Sequence, residues 1–549
     1  MFPPLRVRRP VYLLLLPLWL LGLSALLAYL LTDYATLSTW YRSLGPLYRE
    51  AHWTTDFFTP ATKATGNWLV SGGIGLLLLL PFGIAALCRL PARKATTTRR
   101  IEWAPLGSLL ALLAVALVVG NSHLATAYDE AFSAVRIAER HPFHTWSYYM
   151  LPNNHVLFNL VNGTLFGWYG DLVLTGRLLA GGALLTLAAG LFVFLRPVIR
   201  HPWYRALLIL VAMLQFPVWA FGVQARGYLP LLLFSWMATA GLYGWLRRGE
   251  RRYLWAYVVG SVGAFATVPV FLYVAPALVL YWVLYQWRAR RWDRGFLPAN
   301  FLVGALTFLF YLPTLAFSGL GAVAGNRYVD PTGTLTELLP RLLNTLGFFA
   351  SYPLGGPAAV PAWLAVPLSL LPALYFLRKS CPARLRYLAQ VYLLTLCTTI
   401  GIILLMRVSP FNRVIIFQTH LAWVLLLSCI WYLAKPISSK LGAAALVLVL
   451  AWTALPAPGR FSFNVYYYSV NSTNDQVREI AGHIPAGSSI RYTEEAFLPE
   501  YLLAPRTAAG DAALGSYLIR SENDKAFVAP QGATLEATVG EYELYRLRE

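Results

Sequence analysis

Long apolar runs recur along this chain and leave few folds open to it. Runs of roughly 17–25 residues, the length needed to span a bilayer as a helix, stand at about 11–31, 68–90, 104–121, 171–195, 203–223, 227–246, 253–268, 270–287, 296–317, 360–377, 387–406, 413–434 and 439–456. In hydrocarbon each backbone N–H and C=O needs a partner inside the protein, so these runs are expected to be helices. The chain has 549 residues, 58% of them hydrophobic and only 12% charged, which no soluble domain of this size matches. The expected fold is an all-α polytopic membrane protein of about thirteen transmembrane helices. Outer juxtamembrane helices and a small C-terminal α/β extramembrane domain complete it.

A formal net charge of +20 raises the question of nucleic acid. The basic residues are not gathered in one patch, however; they fall between the apolar runs, and no nucleic-acid partner is expected. Groups such as Arg196/Arg200/Arg205, Arg247/Arg248/Arg251/Arg252 and Arg288/Arg290/Arg291/Arg294 occupy every second connection. By the positive-inside rule this places the N-terminus in the cytoplasm. An odd number of spans then puts the tail outside, as expected of a protein of the bacterial inner membrane with a periplasmic, extracytoplasmic C-terminal domain. The run at 11–31 is too long for a signal peptide and no small-residue cleavage site follows it, so it is read as a retained first helix. Cys88, Cys381, Cys397 and Cys429 fall in or beside apolar runs without metal-type spacing, and neither disulfides nor zinc are expected.

The outer segments are unequal. That at 33–67 is aromatic and polar and reads as interfacial. That at 318–359 carries glycines and an amphipathic run, 335–349, suited to a membrane surface. From about Phe461 the composition becomes that of a soluble domain, dividing the chain into a membrane part, 1–460, and a tail, 461–549. In the tail 475–483 reads as a helix, and 489–493, 517–520 and 541–547 alternate as strands.

The central outer segment, 121–170, holds Tyr128-Asp129-Glu130-Ala131, an amphipathic run from Phe132 to Arg140, then His141, His144 and Asn153-Asn154-His155. Two carboxylates beside lipid are costly and point to a purpose. Adjacent residues on a helix start point about 100° apart, so one can face a cavity while the other meets a metal or a neighbour. The plain alternative is a pair of acids favourable to a helix N-terminus. Arg226, in Gln224-Ala225-Arg226-Gly227-Tyr228, and Arg407 and Arg413 lie at outer ends of spans, where they can clamp a phosphate or simply snorkel to headgroups. His155 either caps the following helix or binds a phosphate or metal. Arg177, inside a span, reads as half of a buried pairing, and His141 and His144 read as surface residues.

In order and placement these motifs resemble the GT-C superfamily of membrane glycosyltransferases, in the branch of the aminoarabinose transferases and protein O-mannosyltransferases. The likeness covers about 104–434. It is carried by Tyr128-Asp129-Glu130-Ala131, Asn153-Asn154-His155 (many members have His-Pro-Pro), Leu165-Phe166-Gly167 and Arg177-Leu178. Gln224-Ala225-Arg226-Gly227-Tyr228, Tyr311-Leu312-Pro313 and Pro410-Phe411-Asn412-Arg413 complete it. Two spans precede the family's usual first helix. The resemblance implies transfer of a sugar from a polyprenyl-phosphate donor to a lipid, glycan or protein acceptor at the outer face. It implies Asp129 as base for the acceptor, and Arg226, Tyr228, Arg413, His155 and Asn154 around the donor phosphate. Glu130 would orient the acceptor or hold a divalent cation, magnesium or manganese. Direct displacement with inversion at the anomeric carbon is the expected course. The rival classes are a transporter or flippase of lipid-linked sugars, which needs polar residues at mid-span, and a polysaccharide polymerase or ligase, which would not need the Asp-Glu pair.

Overall fold

The structure is a computed structural model. It describes residues 9–45, 58–91, 101–149, 154–324, 334–351, 361–408, 412–454, 463–493, 496–503, 516–522, 524 and 527–547. Within those bounds every apolar run is built of helix, with breaks at 214–217 and at the joints between neighbouring runs. Among the described residues eight helices are long and apolar enough to cross a membrane: Pro60–Arg89, Trp103–His123, Leu172–Phe194, Tyr228–Arg248, Pro269–Ala289, Phe296–Phe317, Ala383–Met406 and Arg413–Ala434. The protein is therefore an integral membrane protein, with eight full-length candidate spans among the described residues where about thirteen were expected. The first run forms the helix Arg9–Leu31, and Pro202–Met213, Trp363–Phe376 and Ser439–Trp452 are shorter apolar helices.

The run at 203–223, expected as one span, is two pieces, Pro202–Met213 and Val218–Gly222. Pro217 lacks the N–H that would continue the helix, and Gln215 turns its side-chain amide back onto the carbonyl of Val211. The tightest helix pair is Tyr228–Arg248 against Arg251–Thr267. A Cβ on Gly241 would stand 2.5 Å from the backbone N of Tyr257, and one on Gly260 2.5 Å from that of Ala238. Small residues let the two backbones approach, which is how helices adhere in lipid.

The polarity of the bundle is legible at its ends. Trp103, Trp203, Trp287 and Trp292 are exposed at the end that also carries Arg196, Arg248, Arg288 and Arg291, while Trp363 and Trp452 are exposed toward the other. Such belts mark the two membrane–water interfaces. On the second side the helix Tyr34–Ser43 packs Tyr41 against Phe143 and Phe317. The run at 335–349 is the helix Leu335–Ser351, with Leu338, Leu342 and Leu346 buried beside Tyr273 and Ile403.

The tail builds a four-stranded sheet in the order β1-β2-β4-β3, from β1 (Ser489–Tyr492), β2 (Ser516–Ser521), β3 (Thr534–Val539) and β4 (Tyr542–Leu547). β1 and β2 are parallel and the other pairs antiparallel. The three strands expected from alternation are present. β3 escaped notice because it is an edge strand with a bulge and a mostly exposed face. The helix Phe463–Gly482 contains the one expected at 475–483.

The sheet does not stand apart from the membrane part. Phe497, Leu498 and Leu503, in the helix Phe497–Leu503, share one buried cluster with Tyr517, Ile519, Tyr542 and Leu544 of the sheet and with Ala131, Phe132 and Ile137 of the central outer segment.

Candidate active site

The central segment leaves the membrane at His123 and is fixed at once. Asn471 accepts from the amide of Ala125 and donates to the carbonyl of His123, and Asn474 donates to the carbonyl of Thr126. A short helix, Tyr128–Phe132, follows, and then a wider π-turn, Ser133–Ala138, of a kind common at functional sites. The expected amphipathic run is thus two helical pieces. Its apolar side meets the tail: the Tyr128 and Phe497 rings are 4.0 Å apart between centroids, Phe132 and Phe497 5.0 Å. Arg136 pairs with Glu500 at 2.6 Å, and the Tyr501 hydroxyl donates to Asp171, which caps the helix Leu172–Phe194.

The two adjacent acids part company, as their angular separation allows. Glu130 is buried and fully engaged. Arg177 grips it with two bonds, 2.9 Å to Oε1 and 2.8 Å to Oε2. The Ala127 amide donates to Oε2 at 2.8 Å and the Ala225 amide to Oε1 at 2.5 Å. Arg177 also donates to the carbonyls of Leu124 and Ala125. Glu130, expected as a catalytic or metal-holding group, here uses its four acceptor directions to tie the Asp129 helix to the 224–228 turn. The buried pairing expected for Arg177 is this one.

Asp129 is partly exposed and faces cations. Its Oδ2 lies 3.5 Å from Arg226 Nη2 and 3.4 Å from Arg413 Nη1. Arg226 is buried, and its Nη1 also donates to the Asp129 carbonyl at 3.1 Å and reaches Ser133 Oγ at 3.4 Å. Arg413 is more than a third exposed, on the 3-10 turn Asn412–Ile415. Arg407 ends the helix Ala383–Met406 in the left-handed conformation, φ 55°, and is exposed.

His155 completes the group. The Gly227 amide donates to its Nδ1 at 2.8 Å. Only glycine serves at 227, because a Cβ there would meet the His155 ring and Cβ at 2.8–3.0 Å. Tyr228 stands edge-on to the same imidazole, 4.8 Å between centroids, with the Arg226 guanidinium 5.7 Å from its ring. Burial first, and then the charges of Arg226 and Arg413, hold the His155 pKa well below 6.5. With Nδ1 accepting, the neutral ring carries its proton on Nε2. That Nε2 is buried and has no partner among the described residues.

Asn154, expected at a donor phosphate, is employed elsewhere. Its amide donates to the carbonyls of Thr145 and Tyr148 and its oxygen accepts from Asn159, so it pins the loop ahead of the helix Val156–Tyr169. His144, expected at the surface, is buried and bonds through Nε2 to the carbonyl of Tyr41; His141 is exposed. Residues 150–153 and 409–411 lie outside the described residues, as do the side chains of Phe166, Gly167 and Asn412. Sequence reasoning missed Ser133, which sits within the run that follows Asp129, and Glu500 and Tyr501, which lie far from it in sequence.

Among the described residues no group of three or more His, Cys, Asp or Glu could hold a metal ion. Asp129 is flanked by two guanidinium groups, a setting that disfavours a divalent cation. The residues present do not fit such an ion.

No protein-family model matches the sequence, and no curated protein matches it. Among solved structures, the chain is similar to the arabinosyltransferase EmbB from Mycobacterium smegmatis, at 13% identity over 72% of this chain, with a TM-score of 0.43. The likeness spans 40% of that enzyme's length.

Proposed function

We propose that this protein is a membrane glycosyltransferase. In this reading it transfers a sugar from a polyprenyl-phosphate donor to an acceptor hydroxyl, or phosphate, at the membrane face that carries Asp129. The supporting observation is the pairing of one partly exposed carboxylate, Asp129, with two guanidinium groups, Arg226 and Arg413, beside the imidazole of His155. Guanidinium forks and a buried neutral N–H suit phosphate oxygens, and a carboxylate suits a hydroxyl proton.

Before the donor binds, the arginines rest on Asp129. The donor phosphate takes them over and leaves the carboxylate free to act. The acceptor oxygen attacks the anomeric carbon from the side away from the phosphate, and its proton passes to Asp129. The bond from that carbon to the phosphate oxygen breaks, and polyprenyl phosphate departs with the electron pair. Arg226 and Arg413 stabilise the charge that gathers on the departing group. The His155 Nε2–H donates to one of its oxygens, with Tyr228 and Gly227 holding the ring in place. The configuration inverts, and no step passes through a metal. The N-terminus lies in the cytoplasm of a bacterial cell and the tail outside its inner membrane.

The test is Asp129→Asn in cells, with lipid extracts read by mass spectrometry. Loss of a general base lowers the rate by roughly 100-fold or more. Carrier-linked sugar should then accumulate as it does when the protein is absent, while the variant remains folded and inserted. Normal lipid profiles with Asp129→Asn would sink the assignment, and a retained anomeric configuration in the product would sink the displacement.

A further inference from the structure

Far from Asp129, a cavity of about 390 Å³ opens between the helices Leu172–Phe194 and Tyr228–Arg248. Both helices begin at the Asp129 end of the bundle, at Arg177 and Tyr228, and the cavity follows them to the opposite end, at Phe194 and Arg248. Its wall is apolar: Leu187, Leu191, Leu233, Met237 and Ala240 line it. Gly190 adds to the recess, since a Cβ there would find open space.

The mouth is of another character. Arg384, half-buried, donates to the carbonyl of Phe194. Its guanidinium lies 5.0 Å from the Phe194 ring and 5.4 Å from that of Tyr243. No carboxylate lies within ion-pair distance of it among the described residues. Arg248 donates to the Tyr253 hydroxyl at 2.7 Å and stands 3.9 Å from Glu250, whose other oxygen is taken by Arg252 at 2.7 Å. Arg248 and Arg252 thus share the carboxylate of Glu250, and Arg384 has none among the described residues.

A cationic rim over an apolar recess at a membrane interface calls for an anionic headgroup on a greasy chain. We propose that this cavity binds an anionic phospholipid of the leaflet opposite the Asp129 site. One acyl chain lies along Leu191, Leu233 and Ala240, and the headgroup phosphate rests on Arg384 and Arg248. A recess of this volume suits a single chain. The lipid is a resident of the fold and takes no part in the transfer, because its phosphate sits a membrane's thickness from Asp129. The inference is independent of the function proposed above.

The full chain in detergent, stripped of lipid, tests it by native mass spectrometry and thermal unfolding. Phosphatidylglycerol should be retained and should raise the unfolding midpoint. Phosphatidylcholine with the same chains, and inorganic phosphate, should do neither. Arg248→Gln, at an exposed side chain, should weaken retention about fivefold, and Ala240→Trp should abolish it by filling the recess. Arg384→Gln should act like Arg248→Gln where it folds. Equal retention of phosphatidylcholine, stabilisation by inorganic phosphate, or undiminished retention in both Arg248→Gln and Ala240→Trp overturns the proposal.

Discussion

Asp129 and Glu130 are neighbours in sequence and unlike in every other respect. Glu130 accepts four bonds in a buried setting, so Glu130→Gln leaves the Arg177 charge uncompensated. Removing one partner of a buried pair costs about 3–5 kcal/mol. The unfolding midpoint in detergent should fall sharply, and replacing Glu130 and Arg177 together by methionine should recover much of the loss. Asp129→Asn should lower that midpoint less than Glu130→Gln does, since its ion pairs are long and its side chain is partly exposed, although Arg226 is buried. His155 gives a second residue-scale test. Its pKa in the fold is well below 6.5, whereas an unfolded histidine titrates near ~6.5. Below that pH the unfolded chain binds a proton that the folded one refuses, so stability falls as pH drops, by up to about 1.4 kcal/mol per unit, and is level above it. Burial lowers the His144 pKa as well, so His155→Gln should remove part of the slope between pH 7.5 and 5.5 and leave the share of His144. A wild-type midpoint flat across that range would contradict both assignments.

The elements that hold these residues were unequally legible in the sequence. Apolar runs announce helices because lipid offers the backbone no other partner, and so the bundle could be read from hydropathy. The site arginines were readable for a related reason: a charge at the end of a span needs an explanation. Partners distant in sequence were not readable. Nothing around Glu130 names Arg177, 47 positions on, and nothing in Asn154 distinguishes a loop clamp from a phosphate ligand. The break at 214–217 was hidden by a run that stays apolar across Pro217. Least legible was the helix Phe497–Leu503, whose seven residues are too few for a periodic signal. Yet it packs on the helix that carries Asp129, with Phe497 buried between Tyr128 and Phe132. Phe497→Ala should cost about 3–5 kcal/mol and release the Asp129 helix from its support. A chain ending before Phe461 should insert and lose activity, for want of this wall and of the Arg136–Glu500 pair. Limited proteolysis within 128–140 would report the loosening; an active truncated chain would show that the membrane part alone fixes Asp129.

At the scale of the whole molecule one axis organises everything described. Arg196, Arg248, Arg288 and Arg291 stand at one end, and Asp129, Arg226, Arg413 and the sheet at the other. The tail packs on residues 128–137, so it must lie on the same side of the membrane as Asp129. This coupling turns the topology into a test of the chemistry. A polyprenyl-phosphate donor presented outside the cell requires the tail outside and the arginine-rich connections inside, in accord with the positive-inside rule. In a background without the four native cysteines, Asp475→Cys, at an exposed side chain of the tail, should react with a membrane-impermeant maleimide added to intact spheroplasts. Arg291→Cys, exposed at the other end, should react only after the membrane is opened. The reverse pattern would place Asp129 in the cytoplasm, where soluble nucleotide sugars abound, and would remove the reason for a lipid-linked donor while leaving the geometry of the arginine pair untouched.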